Sequence, residues 1–407
     1  MSKSFDEAVL AYKYSSPNLS LFEQLFLNRF WDWFVNVYPL WLAPNLITLC
    51  GGTFCLVMYH LNWYLSPDGS GQAQPQLIYL AFSGMMLAYN TLDGTDGKQA
   101  RRTKSGSALG ELMDHGVDAL VTGFVSFVVT DALGLGIDRP VVWAAIIGGQ
   151  MAFYMSNMTL LHRGKQTFFP IDIMELQFVL ITVLATAGLF GPKVWAETWI
   201  PIPAHPHVQS TVEFVANVLN VNDFVQQGQF QARLVVVIGA VGGTVQNFIL
   251  YTYMSSTPYF TGNALSHPGC GKFQLVRQVI IILVYGALCA SSVLFLGQIK
   301  SQRVRHQAFR AFLCTICFAF GDLMDRLLVM RVSHLPLPTM SPTLACVAIF
   351  AIAAAGVELH VVPTLPSLWA VALFAIVCHQ LFFVWVSNKL AKVLGISVFT
   401  IKKLAQQ

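Results

Sequence analysis

Between Asp93 and Asp118 the sequence reads DGTDGKQARRTKSGSALGELMDHGVD, with four aspartates in two pairs. Asp93 and Asp96 are three residues apart, and Asp114 and Asp118 are four apart. On helices, each spacing puts both carboxylates of a pair on one face. Two helices meeting at their Asp ends would gather four carboxylates around one small space. Four like charges there are strongly unfavourable unless neutralised, and divalent cations supply that charge. All-oxygen ligation suits Mg²⁺, Mn²⁺ or Ca²⁺ better than Zn²⁺. Two metals about 4 Å apart are the usual arrangement for displacement at phosphorus. The candidate metal ligands are Asp93, Asp96, Asp114 and Asp118.

The residues between the pairs suit a phosphate-bearing ligand. Gly97 and Gly110 lack a Cβ, so a ligand or a neighbouring helix can come close. Lys98, Arg101, Arg102 and Lys104 set cations beside the carboxylates, and Arg clamps phosphate oxygens in a bidentate fork. A plain basic loop with N-capping aspartates would not require Asp at both spacings with Gly and Arg between them.

The string Asp93-x2-Asp96-Gly97-x2-Ala100-Arg101-x8-Gly110-x3-Asp114-x3-Asp118 resembles the full signature of the CDP-alcohol phosphotransferase family, with no position departing. Asp96–Thr103, Leu109–Leu112 and Asp114–Gly116 are similar to its eukaryotic choline/ethanolamine phosphotransferase branch. The similarity extends upstream to Pro39–Asn45 with Ile47 and Thr48, and more weakly to Ile171 and Asp172 with Glu175 and Gln177.

The resemblance implies transfer of phosphocholine or phosphoethanolamine from CDP-choline or CDP-ethanolamine to diacylglycerol. It implies two Mg²⁺ or Mn²⁺ ions per site and Asn45, Gly94, Gly97, Lys98, Arg101 and Gly110 as contacts to the CDP-alcohol. Asp118 is the first choice for the base, with His115 and Glu175 as alternatives, because a carboxylate on two metals is a weak base. It further implies a homodimer through the C-terminal helices and an endoplasmic reticulum or Golgi membrane. Thr91–Gly94 look more like ethanolamine-specific relatives, while Ile171 and Asp172 with Glu175 and Gln177 look more like choline or dual-specificity ones, which keeps an ethanolamine-only enzyme open. From a different class, a cation-coupled transporter would use intramembrane carboxylates and show inverted repeats.

Composition sets the solvent. Of 407 residues, 55% are hydrophobic and 11% charged, against about 25% charged in soluble proteins. The expected fold is an all-α polytopic membrane protein with about ten transmembrane helices. The net charge of +4 is too small to argue for nucleic acid. The eight cysteines fall mostly in apolar runs, and Cys314 and Cys317 read as small core residues. Residues 1–20 are polar, so no cleavable signal is expected and insertion relies on the first span.

Residues 17–42 alternate at helical spacing, with Leu19, Leu21, Leu25, Leu27, Phe30, Trp31, Phe34 and Val35 along one side. They predict an interfacial helix, with Trp31, Trp33 and Trp41 at the headgroups. Spans are predicted over 46–65, 76–93, 108–135, 140–161, 171–191, 233–255, 274–297, 309–331, 339–360 and 365–388. Three regions follow: 1–45 as a cytosolic N-terminus with the interfacial helix, 46–256 as the catalytic core, and 257–407 as C-terminal helices and tail. Lys and Arg place the Asp93–Asp118 stretch in the cytosol, but Lys300, Arg303 and Arg305 then fall on the opposite side. Either the helix count is off by one or this loop departs from the rule. In span eight, Asp322 and Arg326 are four apart and are expected to pair.

Overall fold

The structure is a computed structural model that describes residues 5–12, 20–71, 74–165, 173–263, 270–336, 341–358 and 365–401. Ten helices of 17 residues or more occupy the predicted positions: α3 (Pro44–Leu65), α4 (Leu77–Arg102), α5 (Ala108–Ala132), α6 (Pro140–Arg163), α7 (Ile173–Phe190), α10 (Ala232–Phe260), α11 (Lys272–Gly297), α12 (Gln302–Ser333), α13 (Pro342–Glu358) and α14 (Leu365–Leu394). By length and composition α3, α5, α10, α11 and α14 are apolar enough to cross a membrane. Met174–Phe190 and Pro342–Gly356 form shorter apolar helices. The protein is therefore an all-α polytopic membrane protein. The remaining three, α4, α6 and α12, are as long but more polar: α4 carries Asp93, Asp96 and a basic end, α6 carries Gln150, Asn157 and His162, and α12 carries Asp322, Asp325 and several arginines.

The helix starts are local. Pro44 and Pro140 sit in the first turn of α3 and α6, where the missing N–H costs nothing. Ser107 caps α5 by accepting from the Gly110 amide at 3.2 Å. Gly164 ends α6 in the left-handed region at φ 73°, which only glycine adopts freely.

Helix α5 is the axis of the molecule. It is 67% buried along its apolar window, against 17% for α10. It packs against α3, α12 and α6, while α10 lies outside against α6 and α11 against α13. The C-terminal helices are thus part of one core with the N-terminal ones, since α12 reaches both α5 and α14. At Gly188 α7 lies directly on α4, where a Cβ would meet the Leu80 backbone nitrogen at 2.5 Å.

Four expectations change. The second span does not stop at Asp93. Helix α4 runs on to Arg102, so Asp93 and Asp96 sit inside a helix and the link to α5 is only residues 103–107. Residues 20–37 lie along the protein as a π turn (Glu23–Leu27), α2 (Asn28–Phe34) and a 3₁₀ turn (Val35–Val37). They have two apolar faces and not one: Leu27, Trp31 and Val35 are buried, while Leu25, Phe26, Phe30, Trp33 and Val37 are exposed. Leu19 lies outside the described residues. Ahead of this segment, α1 (Phe5–Leu10) was not foreseen and rests on α12 and α14.

From the sequence, Val208–Val225 in the loop over 192–232 reads as one weakly amphipathic helix. The structure places α8 (Val194–Glu197), α9 (Pro206–Val218) and a small antiparallel sheet there. Strand β1 (Trp199–Pro201) pairs with β3 (Gln229–Gln231), which pairs with β2 (Val225–Gln226).

The misplaced basic loop is explained by its partners. Arg305 Nη2 lies 2.7 Å and His306 Nε2 2.9 Å from the carboxylate of Asp138, in the α5–α6 turn. The helix count therefore holds, and at this end Arg305 and His306 are paired locally. Nearby, Arg139 forms a two-pronged ion pair with Asp223 of the long loop at 2.7 and 2.9 Å.

Candidate functional site

Helices α4 and α5 present their aspartates to each other at one end of the molecule. One carboxylate oxygen from each of Asp93, Asp114 and Asp118 falls within 4.8 Å of the others. Asp96, one turn along α4 from Asp93, lies outside this trio. Three of the four expected acids thus come together across the two helices. Two hydroxyls reach in: Thr48 of α3 donates to Asp96, and Tyr89 of α4 donates to Asp118. Thr48 belongs to the upstream stretch that carries the resemblance, but Tyr89 was not named from sequence. Tyr89 carried a usable signal, since it lies one helical turn before Asp93 on the same face.

The donor set is chemically selective. Three clustered carboxylates with no sulfur or imidazole among them fit a hard divalent cation. Like charges this close are costly without one.

His115 follows Asp114 toward α6, its ring 6.4 Å from that of Phe153. Its Nδ1 is buried with no hydrogen-bond partner among the described residues. Glu175, in the first turn of α7, accepts from the Phe22 amide at 2.8 Å. The neighbouring Gln177 accepts from Asn90 of α4. Ile171 and Asp172 lie outside the described residues.

The expected substrate contacts divide. Gly97 has only Arg101 Nη1 within reach of an added Cβ, at 3.6 Å, and Gly110 is similarly open. Asn45 donates to the Val398 carbonyl at 2.7 Å and sets its oxygen beside Gly110. Arg101 is exposed at the cluster's rim. Gly94 and Lys98 are different. The Trp31 ring fills the place of a Gly94 side chain. Lys98 Nζ bonds Asp32 at 2.7 Å and Asn28 at 2.5 Å. Both face the N-terminal segment.

Other buried charges have cross-helix partners that the sequence reading did not name. Asp325 pairs with His379 of α14 at 3.2 Å, both wholly buried, and its oxygen abuts Gly116 of α5. Glu111 pairs with Arg331. The Asp322–Arg326 pair forms as expected, at 2.8 Å, and Thr343 donates to the same carboxylate at 2.6 Å. At the opposite end Asp131 accepts from Ser66, the Gly71 amide, Gln74 and Tyr79. All eight cysteines are free.

A family model described as CDP-alcohol phosphatidyltransferase matches residues 41–205, the stretch that holds the whole aspartate cluster. The chain carries a CDP-alcohol phosphatidyltransferase domain. It is 29% identical over 397 residues to an uncharacterized CDP-alcohol phosphatidyltransferase class-I family protein 2 of Dictyostelium discoideum, covering 96% of this chain and 85% of that protein. It is 31% identical over 261 residues to cholinephosphotransferase 1 of Mus musculus, covering 64% and 56%. To cholinephosphotransferase 1 of Homo sapiens it is 35% identical over 191 residues, covering 47% and 46%. The match thus spans about half the length of these cholinephosphotransferases. The CDP-alcohol phosphatidyltransferase domain is a transferase of phospholipid synthesis, consistent with the choline/ethanolamine branch. That sets the transporter reading aside.

Proposed function

We propose that this chain transfers phosphocholine, phosphoethanolamine or both from the CDP-alcohol to diacylglycerol within the membrane. The observation that carries this reading is the convergence of Asp93, Asp114 and Asp118 at one end of two helices, with Asp96 one turn from Asp93 on α4. These four residues would hold Mg²⁺ or Mn²⁺, two ions per site. Bound there, divalent cations would neutralise the diphosphate and the departing CMP.

The chain's own groups do the rest. The open backbone at Gly97 and Gly110 admits the CDP-alcohol, Asn45 borders Gly110, and Arg101 steadies phosphate oxygens at the rim. The lipid hydroxyl enters sideways and forms a new bond to the phosphorus that bears the headgroup. The bond from that phosphorus to CMP breaks, and the hydroxyl proton passes to a base on the chain. Asp118 is already engaged by Tyr89, whereas His115 Nδ1 has no partner among the described residues. This favours His115 as the acceptor of the proton, with Asp118 mainly a metal ligand and Glu175 anchoring the N-terminal segment. In this reading the site faces the cytosol of an endoplasmic reticulum or Golgi membrane, and the C-terminal helices carry a homodimer.

The test is CMP release by purified protein in nanodiscs with diacylglycerol, run side by side with CDP-choline and CDP-ethanolamine. Release with either donor, abolished by EDTA, is the expected result. Turnover with CDP-ethanolamine alone selects the ethanolamine-only enzyme. No CMP from either donor overturns the reading.

A further inference from the structure

Helix α4 has two working faces. Asp93, Asp96, Gly97 and Ala100 follow the helical repeat on the side toward α5. Gly94, Thr95, Lys98, Gln99 and Arg102 follow it on the other side, and every one of them holds the N-terminal segment. Trp31, 2% exposed, occupies the space beside Gly94 so closely that a Cβ would overlap its indole carbons. Tyr38 Oη and Thr95 Oγ1 are 2.8 Å apart. Since Thr95 already donates to the Thr91 carbonyl at 2.6 Å, the Tyr38 hydroxyl is the donor. Lys98 bridges Asp32 and Asn28. Gln99 Nε2 donates to the carbonyls of Pro39 and Leu42 at 3.0 and 3.1 Å. Arg102 Nη1 donates to the carbonyls of Val35 and Tyr38 at 3.1 and 2.7 Å. A sixth tie joins the segment to α7, through Phe22 and Glu175.

The mutual contact of α4 and α5 is slight, although both lean heavily on α3. The spacing of the two aspartate pairs is therefore not fixed by direct packing between the helices that carry them. Helices α3 and α7 hold α4 in place, and like-charge repulsion acts on the turns that carry Asp93 and Asp96. The N-terminal segment grips the whole reverse face of α4 over the two turns that hold Asp93 and Asp96.

We propose that residues 28–42 form a clamp that sets the position of Asp93 and Asp96, with Asp32, Trp31 and Lys98 as positioning residues. In this role Lys98 is part of the clamp and not a contact to substrate phosphate. Partners that orient metal ligands from behind typically govern affinity by roughly 10- to 100-fold. The inference rests on the proposed metal site.

The experiment is a charge exchange, read by direct Mn²⁺ binding in electron paramagnetic resonance titrations and, separately, by the donor KM and turnover. The proteins are wild type, Asp32→Lys, Lys98→Asp and the double variant, each checked for a monodisperse profile in nanodiscs. Each single variant is expected to weaken Mn²⁺ binding by about tenfold or more, and the double variant to recover most of it. Recovery upon exchange is an outcome that a phosphate-binding lysine would not give, because aspartate at position 98 would then repel the donor. Two results overturn the proposal: a donor KM defect in Lys98→Asp that the second change does not repair, or Mn²⁺ binding unaltered in Asp32→Lys. A wild type that binds no Mn²⁺ overturns the metal site and the clamp with it. A wild type that binds Mn²⁺ but releases no CMP overturns the proposed reaction and leaves the clamp to be judged by the binding data alone.

Discussion

At the residue scale, the acids and His115 have separable duties. Asp93, Asp96 and Asp114 supply charged oxygens, and an asparagine keeps the shape but removes the charge. Asp93→Asn, Asp96→Asn and Asp114→Asn are each expected to abolish turnover and weaken Mn²⁺ binding together. For the proton, general-base assistance is typically worth roughly 10²–10⁴-fold. His115→Ala is expected to lose a factor of that order in single-turnover rate while Mn²⁺ and donor binding persist. Asp118→Asn is expected to lose rate and metal binding together. Measured side by side, an Asp118→Asn protein that binds metal and donor normally but does not turn over would return the proton to Asp118.

At the element scale, the long loop over 192–232 is tied down where it meets the α5–α6 corner. The Arg139 guanidinium holds the Asp223 carboxyl below its ordinary value of 3.8, and the Arg233 and Arg139 guanidiniums lie over the Phe224 ring. A carboxyl whose folded value is depressed adds stability that is fully present above its ordinary value. That stability is lost as pH falls through the folded value. Docking of this loop is therefore expected to be constant from neutral pH down to about 5 and to weaken below about 4. Limited proteolysis with an acid-active protease should show faster cleavage in 200–230 as pH falls through that window. Arg139→Ala should cleave faster at every pH and lose most of the pH dependence. A wild-type cleavage rate flat from pH 6 to pH 3 would count against this anchor.

At the scale of the whole molecule, the two ends differ in chemistry. One end gathers the four aspartates, Arg101, Arg102 and Lys104. The other holds Asp138, Arg139, Arg305 and the small sheet, with Arg139 and Arg305 each paired to an aspartate of another loop. Positive charge favours the cytosolic side, and the unpaired excess lies at the aspartate end. In a background without native cysteines, a cysteine at Gly106, where an added Cβ meets nothing within 4 Å, should react with an impermeant reagent from the cytosol. One at Ser210, on the exposed face of α9, should react only after permeabilisation. The reverse pattern would invert the orientation.

What the sequence determined by itself was whatever depends on helical repeat and transfer free energy. The i,i+3 and i,i+4 spacings placed Asp93 with Asp96 and Asp114 with Asp118, and paired Asp322 with Arg326, because neighbours on one helix face are set by local geometry. Apolar runs located the ten long helices found among the described residues. The tertiary structure decided which residues meet across helices, and no local repeat carries that information. Arg305 finds Asp138 from 167 residues away, which reconciles the basic loop with the helix count. His379 joins Asp325 from another helix, and Trp31 takes the space that Gly94 leaves. Lys98 beside two aspartates reads locally as a phosphate cation. Only the packing of residues 28–42 against α4 shows that it faces away from the carboxylates, toward Asp32.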